Sequence, residues 1–190
     1  MNNETLSIKQ LSSELRNDFY RVHSSANGHD YCFCAAWWVK GWKDFDQRTA
    51  EENRAVREEL FETDRMDGYL LYSNDKPIGW VQACGRDLLV KLTKQFRRRA
   101  DRKSAAITCW FLAPQHRKKG LSDKFLQLIV KDLFDRGYQY IEAYPVKWQE
   151  KKPDDDVWTG PLSMYERAGF FIENDHETYP VYRINMMKDK

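Results

Sequence analysis

Residues 105–137 read AAITCWFLAPQHRKKGLSDKFLQLIVKDLFDRG, and two periodicities meet inside them. Ile107, Thr108, Cys109, Trp110, Phe111 and Leu112 are β-branched, aromatic or aliphatic, a run too short for most helices and suited to a buried strand. Pro114 removes a backbone donor and ends that strand. From Leu121 the period turns helical: Leu121, Phe125, Leu128, Ile129 and Leu133 fall at i, i+4, i+7, i+8 and i+12 on one face. Gly137 stands where a C-terminal cap belongs. The spacing predicts a strand over 105–112 and a helix over 120–136.

Between the two lies Arg117-Lys118-Lys119-Gly120. Cations at a helix N-terminus oppose the macrodipole, which favours anions there by roughly 0.3–1 kcal/mol each. Their placement makes physical sense if a multiply charged anion binds the free N–H groups of the first turn, with Gly120 letting it approach the backbone. The other reading is a solvated basic loop on an ordinary βα unit.

This strand–loop–helix resembles the GNAT superfamily of acyl-CoA N-acyltransferases, whose phosphate-binding signature is Arg/Gln-x-x-Gly-x-Gly/Ala. Arg117, Gly120 and Ser122 stand in that frame, with Ser in the place usual for Gly or Ala. Downstream, Tyr165-Glu166-Arg167-Ala168-Gly169-Phe170 resembles the family's second landmark. The likeness extends over most of the chain and is weakest over about the first sixty residues.

Composition sets the bounds. A chain of 190 residues suits one domain with a full core, spanning 1–190. A net charge of +2 implies no nucleic-acid or membrane partner. The one concentrated basic run, residues 94–103 (KQFRRRADRK), has no interleaved aromatic platform and reads as a solvated connection. The start, MNNETLSIKQL, lacks a long apolar stretch, and four cysteines do not make a disulfide framework, so a cytoplasmic location is expected.

Along the rest of the chain, residues 6–11 suit a first strand, and Ser12-Ser13 before Glu14 suits a helix start running to about Val22. Residues 46–64 are charged with sparse apolar positions, as in a surface helix. Residues 68–73 and 77–84 flank Asn74-Asp75-Lys76 as a β-hairpin. Residues 138–145 suit a strand parallel to 105–112. Residues 147–159 read as a mobile loop. Gly160-Pro161 opens a short helix ending at Gly169, and strands follow at 170–173 and 179–187. The fold expected is α/β: a mixed, twisted sheet of about six to seven strands flanked by helices, as the GNAT resemblance also implies.

The resemblance implies acetyl-CoA, or a short acyl-CoA, as cosubstrate. Its pyrophosphate would rest on the amides of Lys118, Lys119, Gly120, Leu121 and Ser122, with charge from Arg117, Lys118 and Lys119. Backbone groups of Trp110, Phe111 and Leu112 would pair with the pantetheine. Tyr165 stands where the family often places its tyrosine acid, and an amphipathic core tyrosine is the alternative. The strand 105–112 holds no carboxylate. Glu142, sharing a strand face with Tyr140 and Tyr144, is the candidate base, against the alternative of a carboxylate paired with a nearby Lys or Arg.

Cys32-Phe33-Cys34, with His29 nearby, invites a zinc reading, but no second Cys/His cluster stands at structural-site spacing, so no metal is expected. Similarity to GNAT members with a Cys-aromatic-Cys implies a pocket wall near the acceptor, built by Cys32, Cys34, Trp37 and Trp38 and joined by Tyr144. The plain alternative is two buried cysteines packing a helix. The function the resemblance implies is direct transfer, in a ternary complex, of an acetyl or short acyl group to an amine, small-molecule or peptide, by a monomer or homodimer. A non-catalytic acyl-CoA-binding sensor is the alternative.

Overall fold

The computed structural model of the chain describes residues 5–25, 30–65, 68–96, 101–150 and 152–186. In chain order its elements are β1 (Leu6–Gln10), α1 (Arg16–Ser24), α2 (Trp42–Asp46), α3 (Ala50–Glu62), β2 (Tyr69–Ser73), β3 (Lys76–Gly85), α4 (Val90–Phe96), β4 (Ser104–Leu112), α5 (Leu121–Asp135), β5 (Tyr140–Ala143), α6 (Leu162–Arg167), β6 (Phe171–Asn174) and β7 (Val181–Asn185). The strands make one mixed, twisted sheet in the order β1-β2-β3-β4-β5-β7-β6. Among the described residues only β4 and β5 pair in parallel. The architecture is α/β, and the helix α5 is the crossover that a parallel pair needs.

Local chemistry accounts for most boundaries. The β2–β3 turn places Asn74 and Asp75 at φ 46° and 63°, the left-handed pair that a two-residue hairpin demands. The helix α3 begins at a capping box: the Glu52 amide donates to Thr49 Oγ1, and the Thr49 amide to the Glu52 carboxylate. That cap starts the helix at Ala50 rather than at the expected position 46, and α2 is a separate short helix just before it. In α5 the buried residues are Leu121, Phe125, Leu126, Ile129 and Leu133, while Leu128 is exposed. At about 100° per residue the buried stripe centres near Ile129, and Leu128 lies about 100° away from it.

The two faces of the sheet are covered differently. Ala105, Ile107, Val81 and Ile141 pack beneath α5 with Met164 and Tyr165 of α6. On the other face Leu70, Tyr72 and Trp80 meet Phe19 of α1 and Phe61 of α3, and further along Cys84 and Ala106 meet Trp37 and Leu92. The surface helix expected at α3 buries two polar side chains, Asn53 and Arg57. A helix, α4, occupies part of the basic run expected as a connection; positions 97–100 of that run, like His29, lie outside the described residues. The expected loop at 147–159 contains a 3-10 turn, Asp154–Asp156.

Candidate active site

The central feature arises where β4 outruns its neighbour. The parallel ladder pairs Ser104–Ile107 of β4 with Tyr140–Ala143 of β5 and stops there. On the other side, the pairing with β3 slips between Gln82↔Cys109 and Ala83↔Ile107, leaving Thr108 as a bulge residue. Residues 109–112 therefore continue with β3 on one edge only. Ala113 donates its amide to Ile78 O of β3. By alternation, the main-chain groups of Phe111 also face β3, and those of Trp110 and Leu112 face the gap. The Phe111 carbonyl is close enough to Gly79 that a Cβ there would sit 2.5 Å from it. Of the three residues expected to offer main-chain groups to a pantetheine, Phe111 is thus ruled out by strand geometry. Phe111 still lines the cavity described next. The Trp110 amide already donates to Trp158 O, at 2.6 Å, and Leu112 O accepts Arg117 Nε at 2.7 Å.

The gap opens into a cavity of about 340 Å³ that follows β4 from Cys109 to Leu112. Beside Leu112 it is lined by Arg117, Lys118 and Ser122. Arg117 (φ −76°, ψ 163°) is followed by Lys118 at φ 59°, a tight corner, and Gly120 (φ 71°) is the N-cap of α5. No side chain caps this helix, and among the described residues the amides of Gly120, Leu121 and Ser122 donate to no other part of the chain. Those are the orphan donors every helix start leaves. A Cβ at Gly120 would meet nothing within 4 Å, so the side facing its backbone is open. Lys118 also pairs with Asp154 at 3.5 Å, but both are largely exposed and the pair contributes little. These residues fit the diphosphate of an acyl-CoA: cations and free amides at one helix start, with an open approach. Lys119, Gly120 and Leu121 are not themselves part of the cavity wall.

The Cys109 end is different in character. Here Cys32, Cys34, His23 and Trp80 line the cavity. His23 Nδ1 donates to Phe19 O at 3.0 Å and its ring stacks on Phe19; burial lowers its pKa to about 3, so the imidazole is neutral. Trp37, Trp38 and Tyr144 do not reach this lining. Trp37 instead packs with Trp42 and Trp158, and the Lys91 ammonium lies 3.8 Å above the Trp42 ring while bonding Ala36 O.

Neither expected acid–base residue lines the cavity. Tyr165 is fully buried, its hydroxyl donating to Thr159 O (2.8 Å) and accepting from Trp110 Nε1 (2.7 Å). Burial raises its pKa further. Glu142 is fully buried in an ion network, with Arg86 Nε at 3.0 Å, Arg183 Nη2 at 2.6 Å and the Tyr144 hydroxyl donating at 2.6 Å.

Sequence reasoning passed over His23, Trp80 and Arg57. A signal existed for His23, which follows Phe19 and Val22 at helical spacing on one face. Arg57 shares a face with Leu60 and Phe61, yet a buried arginine has no signature of its own.

A family model described as the acetyltransferase (GNAT) family matches residues 31–170. No curated protein matches the chain. Among solved structures, aminoglycoside acetyltransferase AAC(6')-Ib in complex with coenzyme A superposes with a TM-score of 0.61 at 17% identity, covering 96% of this chain and 95% of that one. PaiA N-acetyltransferase from Thermoplasma acidophilum, in complex with coenzyme A, gives 0.55 at 13%, covering 95% and 99%. The ribosomal-protein-S18-alanine N-acetyltransferase from Escherichia coli gives 0.55 at 12%, covering 98% and 97%. At these identities the likeness is one of fold.

Proposed function

Because the chain belongs to the acetyltransferase (GNAT) family, whose members bind acetyl-CoA, we propose that it transfers an acetyl group from acetyl-CoA to an amine. The observation that carries this reading is the continuity of one cavity from the uncapped start of α5 to the thiol-lined end at Cys109. The acceptor end is neutral and rich in indole and thiol, which suits an amine borne on an apolar body. Two structural neighbours are named for an aminoglycoside and for an alanine of a ribosomal protein, so small-molecule and peptide amines are both kept.

When bound, acetyl-CoA supplies the activated acetyl thioester. The amides of Gly120, Leu121 and Ser122, with Arg117 and Lys118, bind its diphosphate. Leu112 and Trp110 offer the strand edge along the gap. Tyr165 acts by position: its hydroxyl ties the Trp110 indole to Thr159 and so sets the far wall of the gap. Neutral His23 presents an acceptor for an amine N–H rather than a strong base, since its low pKa leaves little driving force for proton removal.

A calorimetric titration with CoA, followed by thiol release from acetyl-CoA over a panel of amines, tests the reading. Binding with amine-dependent thiol release supports it. Binding with no release across the panel supports the acyl-CoA sensor instead, a reading favoured by the Trp110 amide being occupied by Trp158 O. Absence of CoA binding removes both.

A further inference from the structure

The end of the cavity at Cys109 is walled by His23, Cys32, Cys34, Trp80, Cys109 and Trp110. It offers a cationic amine neither a partner nor a base. Among the described residues the one carboxylate in the lining is Asp154, and it stands at the other end, paired with Lys118 at 3.5 Å. Glu142 and Tyr165 are buried away from the cavity in bonds of their own. His23 Nδ1 donates to Phe19 O, and burial lowers the pKa of its ring to about 3, too low to hold a proton taken from an ammonium.

Behind that wall sits a charge of the wrong sign for a cation. Arg57 is fully buried, with its guanidinium 5.9 Å from the Trp80 ring centroid. Its Nε donates to Phe33 O at 3.0 Å and its Nη2 to Cys34 O at 3.1 Å, and among the described residues no carboxylate pairs with it. Main-chain carbonyls satisfy its donors without cancelling its charge, and out of water that charge is felt by the groups around it. It lowers the His23 pKa in addition to burial, and it outweighs Asp30, an exposed carboxylate outside the lining that accepts the Ser24 hydroxyl. A primary alkylamine reaches this wall as an ammonium: with a pKa of about 10.4, roughly one molecule in a few thousand is neutral at pH 7. An arylamine does not, because its nitrogen lone pair is delocalised into the ring. The Trp80 and Trp110 indoles offer that ring apolar surface to pack on.

We propose that the acceptor is a weakly basic aromatic amine, bound uncharged against the indole and thiol wall in front of Arg57. The inference rests on the transferase reading above and narrows its acceptor. The arylamine nitrogen attacks the thioester carbonyl; a carbon–nitrogen bond forms and the bond from the acetyl carbon to the CoA sulfur breaks. The electron pair goes to that sulfur, which ends with the proton the nitrogen sheds, giving an anilide and the free CoA thiol. Because the amine is already neutral in solution, no residue has to take a proton from it before attack.

The test is CoA thiol release at pH 7 from acetyl-CoA with aniline, benzylamine, methoxyamine, kanamycin and a peptide with N-terminal alanine. Each rate is corrected for the rate without protein, and CoA binding is measured by calorimetry. Aniline and benzylamine share a ring and differ in charge; methoxyamine is uncharged and lacks the ring. The expected result is a kcat/KM for aniline at least about tenfold above each of the others, the margin left once an alkylamine's greater nucleophilicity is set against its protonation. Cys32→Asp, at a partly exposed position of the wall, should narrow the aniline-to-benzylamine ratio at least about fivefold, whether the new carboxylate meets the ammonium or offsets Arg57. Benzylamine, kanamycin or the peptide matching or exceeding aniline in the wild type overturns the proposal and leaves the transferase reading standing. So does methoxyamine matching aniline, or an unchanged ratio in folded Cys32→Asp. Thiol release with none of the amines, or absence of CoA binding, removes the transferase reading itself and this inference with it.

Discussion

The Trp110 amide donates to Trp158 O at 2.6 Å, across the gap that opens where β4 leaves β5. The chain thus pairs its own strand edge at the place where an extended ligand would add. The Trp158 ring anchors that segment among Trp37 and Trp42, at 6.1 and 5.9 Å between centroids. Trp158→Ala should lower stability by about 1–3 kcal/mol, less than a fully buried Trp would cost because this ring is half-buried. The same change should tighten CoA binding, since the strand edge is released more readily. Urea melts and a CoA titration check both. Unchanged affinity would mean that the Trp110 amide is not on the ligand's path.

Gly120 separates a backbone role from a charge role. Its φ of 71° costs an L-residue about 1–2 kcal/mol, but a side chain there meets open space, so Gly120→Val should still fold. A valine in that space stands where a diphosphate would approach. CoA affinity should fall by more than about tenfold, against no more than about fivefold for Lys118→Ala or Lys119→Ala, each removing one exposed charge worth about 1 kcal/mol or less. Equal losses in titration would contradict a mainly main-chain site.

Tyr165→Phe should lower stability by about 1–3 kcal/mol, because Trp110 Nε1 and Thr159 O lose their partner inside the protein. As a positioning change it should lower turnover by less than the roughly 100-fold expected for removing a general acid, with CoA affinity little altered. Steady-state kinetics beside a melt distinguish the two; a loss well beyond that bound would restore the acid role.

For Glu142 the structure predicts a stability effect. Glu142→Gln takes the buried carboxylate from between Arg86 and Arg183, though Arg183 keeps Glu173 at 3.1 Å, and breaking a buried pair typically costs about 3–5 kcal/mol. The folded fraction should bind CoA as before. A variant with native stability and no turnover would revive the base assignment.

His23 imposes a pH dependence. Its folded pKa, about 3, lies below the ordinary 6.5, so between those values the unfolded chain binds more protons. The contribution is fully present above about pH 6.5 and is lost as pH falls toward 3, by up to about 1.4 kcal/mol per pH unit. Denaturant melts at pH 7 and pH 5 should show that slope in the wild type and a shallower one in His23→Phe.

Legibility in the sequence followed the range of the interactions. The β2–β3 hairpin, β4, α5 and the cationic corner were readable because their residues act on neighbours within a few positions. The role of Leu128 was misjudged, since which side of a helical stripe is buried depends on the sheet beneath. Glu142 was found as a strand carboxylate, but its partners Arg86 and Arg183 lie far away in the chain, and no local pattern joins them. The charged face of α3 concealed Arg57, whose burial depends on carbonyls of Phe33 and Cys34.

By itself the sequence determined a strand, a basic corner and an amphipathic helix in that order, and with them the end of the cavity suited to a diphosphate; these depend on backbone preferences and short spacings. Only the tertiary structure decided that β4 extends beyond β5, that Trp158 closes part of the gap, and that Cys34 and Cys109 share a cavity wall with Trp80, backed by Arg57. Those groups come from five separated segments. Their chemistry exists only where the sheet and its helices bring them out of water together.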